Sequence, residues 1–193
     1  MSLLGHNNGP TMEAGFAWRK HSWAKARKDL LPTLPIEVLR TRVARAKSLG
    51  LPYKTYASVR AASGHDVVGF LFSNNALRVL HANEEVPVER VVRLENVPAS
   101  LMALAHPPID PNTLQKDMAQ RGVEMLCAEA PHFSESWSDC GAKVLVPVRA
   151  AGLPKDGVLV IGDTGQERDW SAAAKLAGYL PSDRFFNAAH VAP

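Results

Sequence analysis

Between residues 64 and 186, four short apolar runs at Val67–Phe72, Leu101–Ala105, Val123–Cys127 and Val158–Ile161 are separated by longer stretches with helical spacing. Each run is too short for a core helix and lacks strict polar alternation, so each reads as a strand covered on both faces. Strands that alternate with helices build a mostly parallel sheet with crossover helices, and the fold class expected is α/β. The helices are expected at about 87–96, 111–121, 132–143 and 166–177, while the run at 144–148 suits either helix or strand. No run approaches the length of a bilayer span, and the first residues hold Asn, His, Gly and Pro in place of an apolar core. A cytoplasmic protein without membrane contact is therefore expected.

Ahead of this region the character changes. Residues 1–80 carry 12 Lys and Arg against 4 Asp and Glu, a net +8, whereas residues 81–193 carry 10 against 15, a net −5. A basic part joined to an acidic part suggests that the first meets a polyanion. Turn formers over 1–12 predict a flexible head, 13–63 a basic helical region, 64–186 the α/β domain and 187–193 a frayed tail. Over 13–31, Phe16, Trp23 and Leu30 recur every seven residues among Arg19, Lys20, Lys25, Arg27 and Lys28. A second helix is expected over about 35–49, with Ile36, Val38, Leu39, Val43, Ala46 and Leu49 as its core-facing stripe. Gly50 and Pro52 then suit a tight turn into a third helix over about 52–62.

Ala46, Leu49, Gly50, Leu51, Tyr56 and Val59 fall at the spacing of a small residue, a turn glycine and the apolar positions that pin two helices together. This stretch resembles the helix-turn-helix of bacterial and phage repressors, although Arg45 stands where that pattern has an apolar residue. The resemblance implies a DNA-associated protein, with contact through Lys54, Thr55, Ser58 and Arg60, supported by Arg40 and Lys47. A homodimer is the expected partner arrangement, because single half-sites bind weakly. The alternative is an ordinary helical hairpin whose Arg and Lys stems lie along a core stripe.

In the acidic part, Val158-Leu159-Val160-Ile161 ends in Gly162-Asp163-Thr164, followed by Trp170, Ala173, Ala174 and Ala177 at helical spacing and then Gly178. Carboxylates at the C-terminal ends of parallel strands are placed where ligands gather. The segment resembles the fourth motif of haloacid-dehalogenase-like phosphohydrolases. That likeness implies Asp163 as a Mg²⁺ carboxylate, with Asp169 or Glu167 as its catalytic companion. The same family requires an aspartate nucleophile in an Asp-x-Asp pair after an early strand, because the phosphoryl group passes through an aspartyl phosphate. Here the early run is followed by Ser73-Asn74-Asn75-Ala76-Leu77. The expectation under this alternative is a divergent or degenerate phosphohydrolase, or a protein-interaction module without chemistry; otherwise no cofactor is expected. Thr164-Gly165-Gln166-Glu167 also matches a helix capping box, which gives Thr164 and Glu167 structural duties.

The remaining reactive side chains form no pattern. His6, His21, His65, His81, His106, His132 and His190 are scattered without metal-ligand spacing. Cys127 and Cys140 make neither a disulfide framework nor a zinc site, and Cys127 within an apolar run is expected to be inert.

Overall fold

The computed structural model describes residues 34–187. The chain divides into two compact units, Met1–Leu39 and Arg40–Pro193. The expected head, the helix over 13–31 and the tail from 188 onward lie outside the described residues.

Five strands, β1 (Gly69–Ser73), β2 (Ser100–Ala105), β3 (Met125–Glu129), β4 (Val158–Gly162) and β5 (Gly178–Pro181), form one parallel sheet in the order β3-β2-β1-β4-β5. The helices are α1 (Ile36–Ser48), α2 (Tyr53–Ser63), α3 (Val88–Glu95), α4 (Pro111–Gln120), α5 (Trp137–Ala150), α6 (Gly165–Ala173) and α7 (Ser182–Phe186). The α/β class is thus realised. β1 and β4 are buried along their whole length, as continuous apolar runs demand when helices cover both faces.

Alternation along the strands sends side chains into two cores. On one face Phe70, Phe72, Leu101, Ala103, Leu159 and Ile161 meet Val91 and Leu94 of α3, Leu114 and Met118 of α4, and Phe185 of α7. On the other, Leu71, Met102, Leu104, Val158 and Val160 meet Val144 and Val148 of α5 and Trp170 of α6. α5 and α6 approach closely at Gly141, where a Cβ would lie 2.6 Å from the Ala173 carbonyl oxygen.

The α1–α2 pair belongs to the first core, which takes in Ala46, Leu49, Leu51, Tyr56 and Val59. Gly50, at φ +67°, makes the left-handed turn between them, and the Arg93 guanidinium occupies the space a Cβ would need while donating 2.7 Å to the Gly50 carbonyl. Arg45 departs from the repressor-like pattern for a visible reason: it bonds Asp66 at 3.1 Å and the Val67 carbonyl at 3.2 Å. The core-facing stripe expected on α1 needs correction. Ala46 and Leu49 are buried, but Ile36, Val38, Leu39 and Val43 are exposed. Periodicity identifies a common side of a helix; it does not say how far along the helix a covering surface extends.

Two boundaries also differ. The helix expected over 132–143 begins later, at Trp137, where Ser136 caps it by accepting from the Asp139 N–H, and it continues through 144–148 to Ala150. β5 was not expected: its four residues are mostly half-buried, and the helix expected over 166–177, which would have run up to it, stops at Ala173. Among the described residues no helix is long and apolar enough to cross a membrane.

Candidate functional site

The chain runs outward from β1 through β2 to β3, then returns to place β4 on the opposite side of β1. At such a switch point the loops leaving the two neighbouring strands turn in opposite directions and open a crevice beyond their C-terminal ends. In register, Phe72 pairs with Ile161, so Ser73-Asn74-Asn75 and Gly162-Asp163-Thr164 face each other across this crevice.

The β1 end is occupied by internal hydrogen bonds. The Ser73 hydroxyl accepts from the Ala76 N–H at 3.0 Å, and Ser73 is fully buried. Asn74 donates to the Val79 carbonyl at 3.0 Å and accepts from the His106 N–H at 3.1 Å, tying the loop after β1 to the loop after β2. Asn75 reaches across the switch point, donating to Glu167 Oε1 at 2.7 Å.

The β4 end holds the carboxylates. Glu167 is 1% exposed, and its Oε2 accepts the N–H groups of Asp163 and Thr164 at 2.6 and 2.9 Å. Thr164 in turn accepts from the Glu167 N–H, completing the capping box that the sequence spelled. Gly162 makes room for this side chain, since a Cβ there would meet Glu167 Oε2 at 2.7 Å. Asp163 accepts from the Ser182 hydroxyl at the end of β5, and its other oxygen lies 3.7 Å from Arg78. Glu167 is therefore the carboxylate brought beside Asp163. Asp169 lies exposed on α6, where its charge helps raise the Cys140 thiol after burial and Glu135.

Two further groups complete the crevice. His106 is half-buried, its ring 5.6 Å from that of Trp170. Burial holds the imidazole below its ordinary value; Glu167 opposes that and His132 adds to it. Arg78 adopts a left-handed φ of 60° and keeps its side chain 54% exposed. Neither was singled out in the sequence, and neither carries a signal there: one is an arginine in a loop, the other a lone histidine after a strand. Ser182 was hidden with β5.

The helix residues separate into two groups. Lys54 and Ser58 of α2 and Arg40 and Lys47 of α1 are exposed, and Thr55 is half-buried. Arg60 points elsewhere, lying 3.7 Å from Asp66 and 3.5 Å from the Tyr56 hydroxyl, so Lys54 and Arg60 do not present one free basic face. Among the described residues no group of three or more His, Cys, Asp or Glu converges on one point. No family model, curated protein or solved structure matches the chain.

Proposed function

We propose that the chain is a nucleic-acid-associated protein whose α/β body is a degenerate haloacid-dehalogenase-like phosphohydrolase, binding at its switch point without transferring phosphoryl groups. The observation that carries this reading is the Asn75–Glu167 bond of 2.7 Å. It joins the two strand ends that the family's chemistry would use, and the segment after the first of them, Ser73-Asn74-Asn75-Ala76-Leu77, holds no aspartate. A covalent aspartyl phosphate needs a carboxylate nucleophile, and the β1 end offers a hydroxyl and two amides already engaged in holding loops.

The residues present do not suit Mg²⁺. That ion asks for open carboxylate oxygens in octahedral geometry. Here Glu167 accepts from three N–H donors, while Asp163 accepts from Ser182 and faces the Arg78 cation.

Association with nucleic acid is supported by the net +8 of residues 1–80 and by the exposed Arg40, Lys47 and Lys54. Phosphate neutralisation releases counterions, so log K should fall with log salt by about 0.9 per duplex phosphate contacted. With the full chain on duplex DNA, Lys47→Ala and Lys54→Ala together should weaken binding across all sequences and flatten the slope by roughly two. Absence of binding at low salt, or a flat slope in the unsubstituted chain, would sink this half of the reading.

A further inference from the structure

The turn leaving β1 gathers two arginines. Arg78 closes it, its backbone N–H donating to the Asn75 carbonyl at 3.0 Å, and Arg90 of α3 donates through Nη1 to the carbonyl of Ala76 in its middle. Arg90 is also fixed on one face, with its guanidinium 4.1 Å from the centre of the Phe186 ring. A guanidinium stacked on a ring and bonded to a carbonyl is preorganised, and it keeps further N–H donors. Arg78 holds a φ of 60°, a conformation disfavoured for long side chains, yet among the described residues its guanidinium makes no hydrogen bond. Asp163 Oδ2 stands 3.7 Å from it, beyond hydrogen-bond reach, while Oδ1 is engaged by Ser182.

The two cations are under-compensated. Burial disfavours the charge on Arg90, and Arg78 adds to this; Asp163 and Glu89 oppose it without overcoming it, so the guanidinium is held below its ordinary range. Like charges brought together at a half-buried edge gain most from an anion that touches both. A carboxylate meets one guanidinium as a two-oxygen fork. A phosphate monoester brings three terminal oxygens and a charge of about −1.5 to −2, enough for two. The pair stands beside the ends of β1 and β4, where the switch-point crevice opens.

We infer that Arg78 and Arg90 together bind a phosphate monoester, with Asp163 as a competing anion beside them. Neither arginine lies in the 158–178 segment that resembles the phosphohydrolases. The inference rests on the reading of the crevice as a binding site without phosphoryl transfer, and it names the group bound there. The monoester belongs either to a small phosphorylated molecule or to the terminal phosphate of a strand.

The test uses the full chain in EDTA, inorganic phosphate, and two fluorescent oligonucleotides that differ only in carrying a 5′-phosphate or a 5′-hydroxyl. Arg78→Gly should melt no lower than the unsubstituted chain, since glycine takes a φ of 60° without strain and the side chain removed is half-exposed. Phosphate should raise the melting temperature of the unsubstituted chain above that in chloride of equal ionic strength, and Arg78→Gly should abolish the rise. Arg90→Lys, which keeps a charge but loses the planar fork, should reduce it; an unchanged rise there overturns the pairing. For a strand end, the 5′-phosphate strand should bind roughly tenfold tighter than the 5′-hydroxyl strand, a preference that Arg78→Gly removes while 5′-hydroxyl binding stays the same. A phosphate rise without that preference assigns the site to a small phosphorylated molecule. Asp163→Asn, which removes the competing charge and keeps an acceptor for Ser182, should tighten phosphate binding severalfold; weaker binding would mean that the carboxylate itself holds the ligand, and would overturn the assignment. If neither rise nor preference is seen, or if either persists in Arg78→Gly, the proposal falls, while salt-dependent binding of the 5′-hydroxyl strand decides separately whether the basic helices meet nucleic acid.

Discussion

Asp66 gathers more of the α1–α2 docking than its place in a loop suggests. Its carboxylate accepts from the Tyr56 hydroxyl at 2.7 Å and from Arg45 at 3.1 Å, with Arg60 at 3.7 Å. Burial pushes Asp66 upward, but Tyr56, Arg45 and the Val67 N–H together hold it below its ordinary value of 3.8. A depressed folded-state value means that the unfolded chain binds the extra proton. The stabilisation is therefore complete above the ordinary carboxylate value and lost as pH falls through the folded one. Asp66→Asn should lower stability near neutrality and make the acid limb of unfolding shallower; an unchanged limb would contradict this. Cys127 makes a second case at this scale, its thiol pushed up to about 12 by burial. At mildly alkaline pH, iodoacetamide should leave Cys127 unmodified in the folded chain and label it in denaturant, while rapid native labelling would show the β3 edge to be open. The burial that raises the Cys127 thiol agrees with its apolar neighbours in the sequence. The ties of Asp66 were not legible there, because they join residues distant in sequence through a helix pair whose docking no local pattern specifies.

Among elements, α5 and α6 depend on one close approach. A methyl at Gly141 would stand 2.6 Å from the Ala173 carbonyl oxygen, so backbone would have to move. Alanine gains about 1 kcal/mol of helix propensity over glycine, but overpacking costs about 1–3 kcal/mol. Gly141→Ala should be destabilising, by up to about 2 kcal/mol in urea unfolding. Gly165, at the start of α6, has no atom within 4 Å of the same hypothetical methyl, so Gly165→Ala should be neutral or stabilising by up to about 1 kcal/mol. Equal effects at the two positions would show that the α5–α6 approach does not constrain Gly141. Strand runs and most helix centres were readable because period and apolar density survive in a single sequence. The start of α5 was not: residues 132–136 have helix-compatible polarity, yet their side chains brace a loop. The exposed half of α1 was misread because amphipathicity records a face without recording what meets it.

At the scale of the molecule, the sign change between a basic beginning and an acidic remainder resolves into particular groups. Arg45 and Arg60 neutralise Asp66, Arg93 holds the Gly50 turn, and Arg40, Lys47 and Lys54 are exposed. The acidic side resolves likewise, since Glu167 caps a helix and binds Asn75 while Asp163 joins Ser182 and Arg78. The Gly-Asp segment and its capping box were both visible in the sequence; their meeting with Asn75 was not, because it depends on β4 returning beside β1. We propose that this meeting binds without phosphoryl transfer. Its most direct test is to incubate the full chain with a fluorescent oligonucleotide bearing a 5′-phosphate, with Mg²⁺ present, and to follow anisotropy and phosphate release in the same sample. Saturable, salt-sensitive binding with the phosphate retained is expected. Phosphate release that disappears in Asp163→Asn, or no binding at low salt, would contradict it.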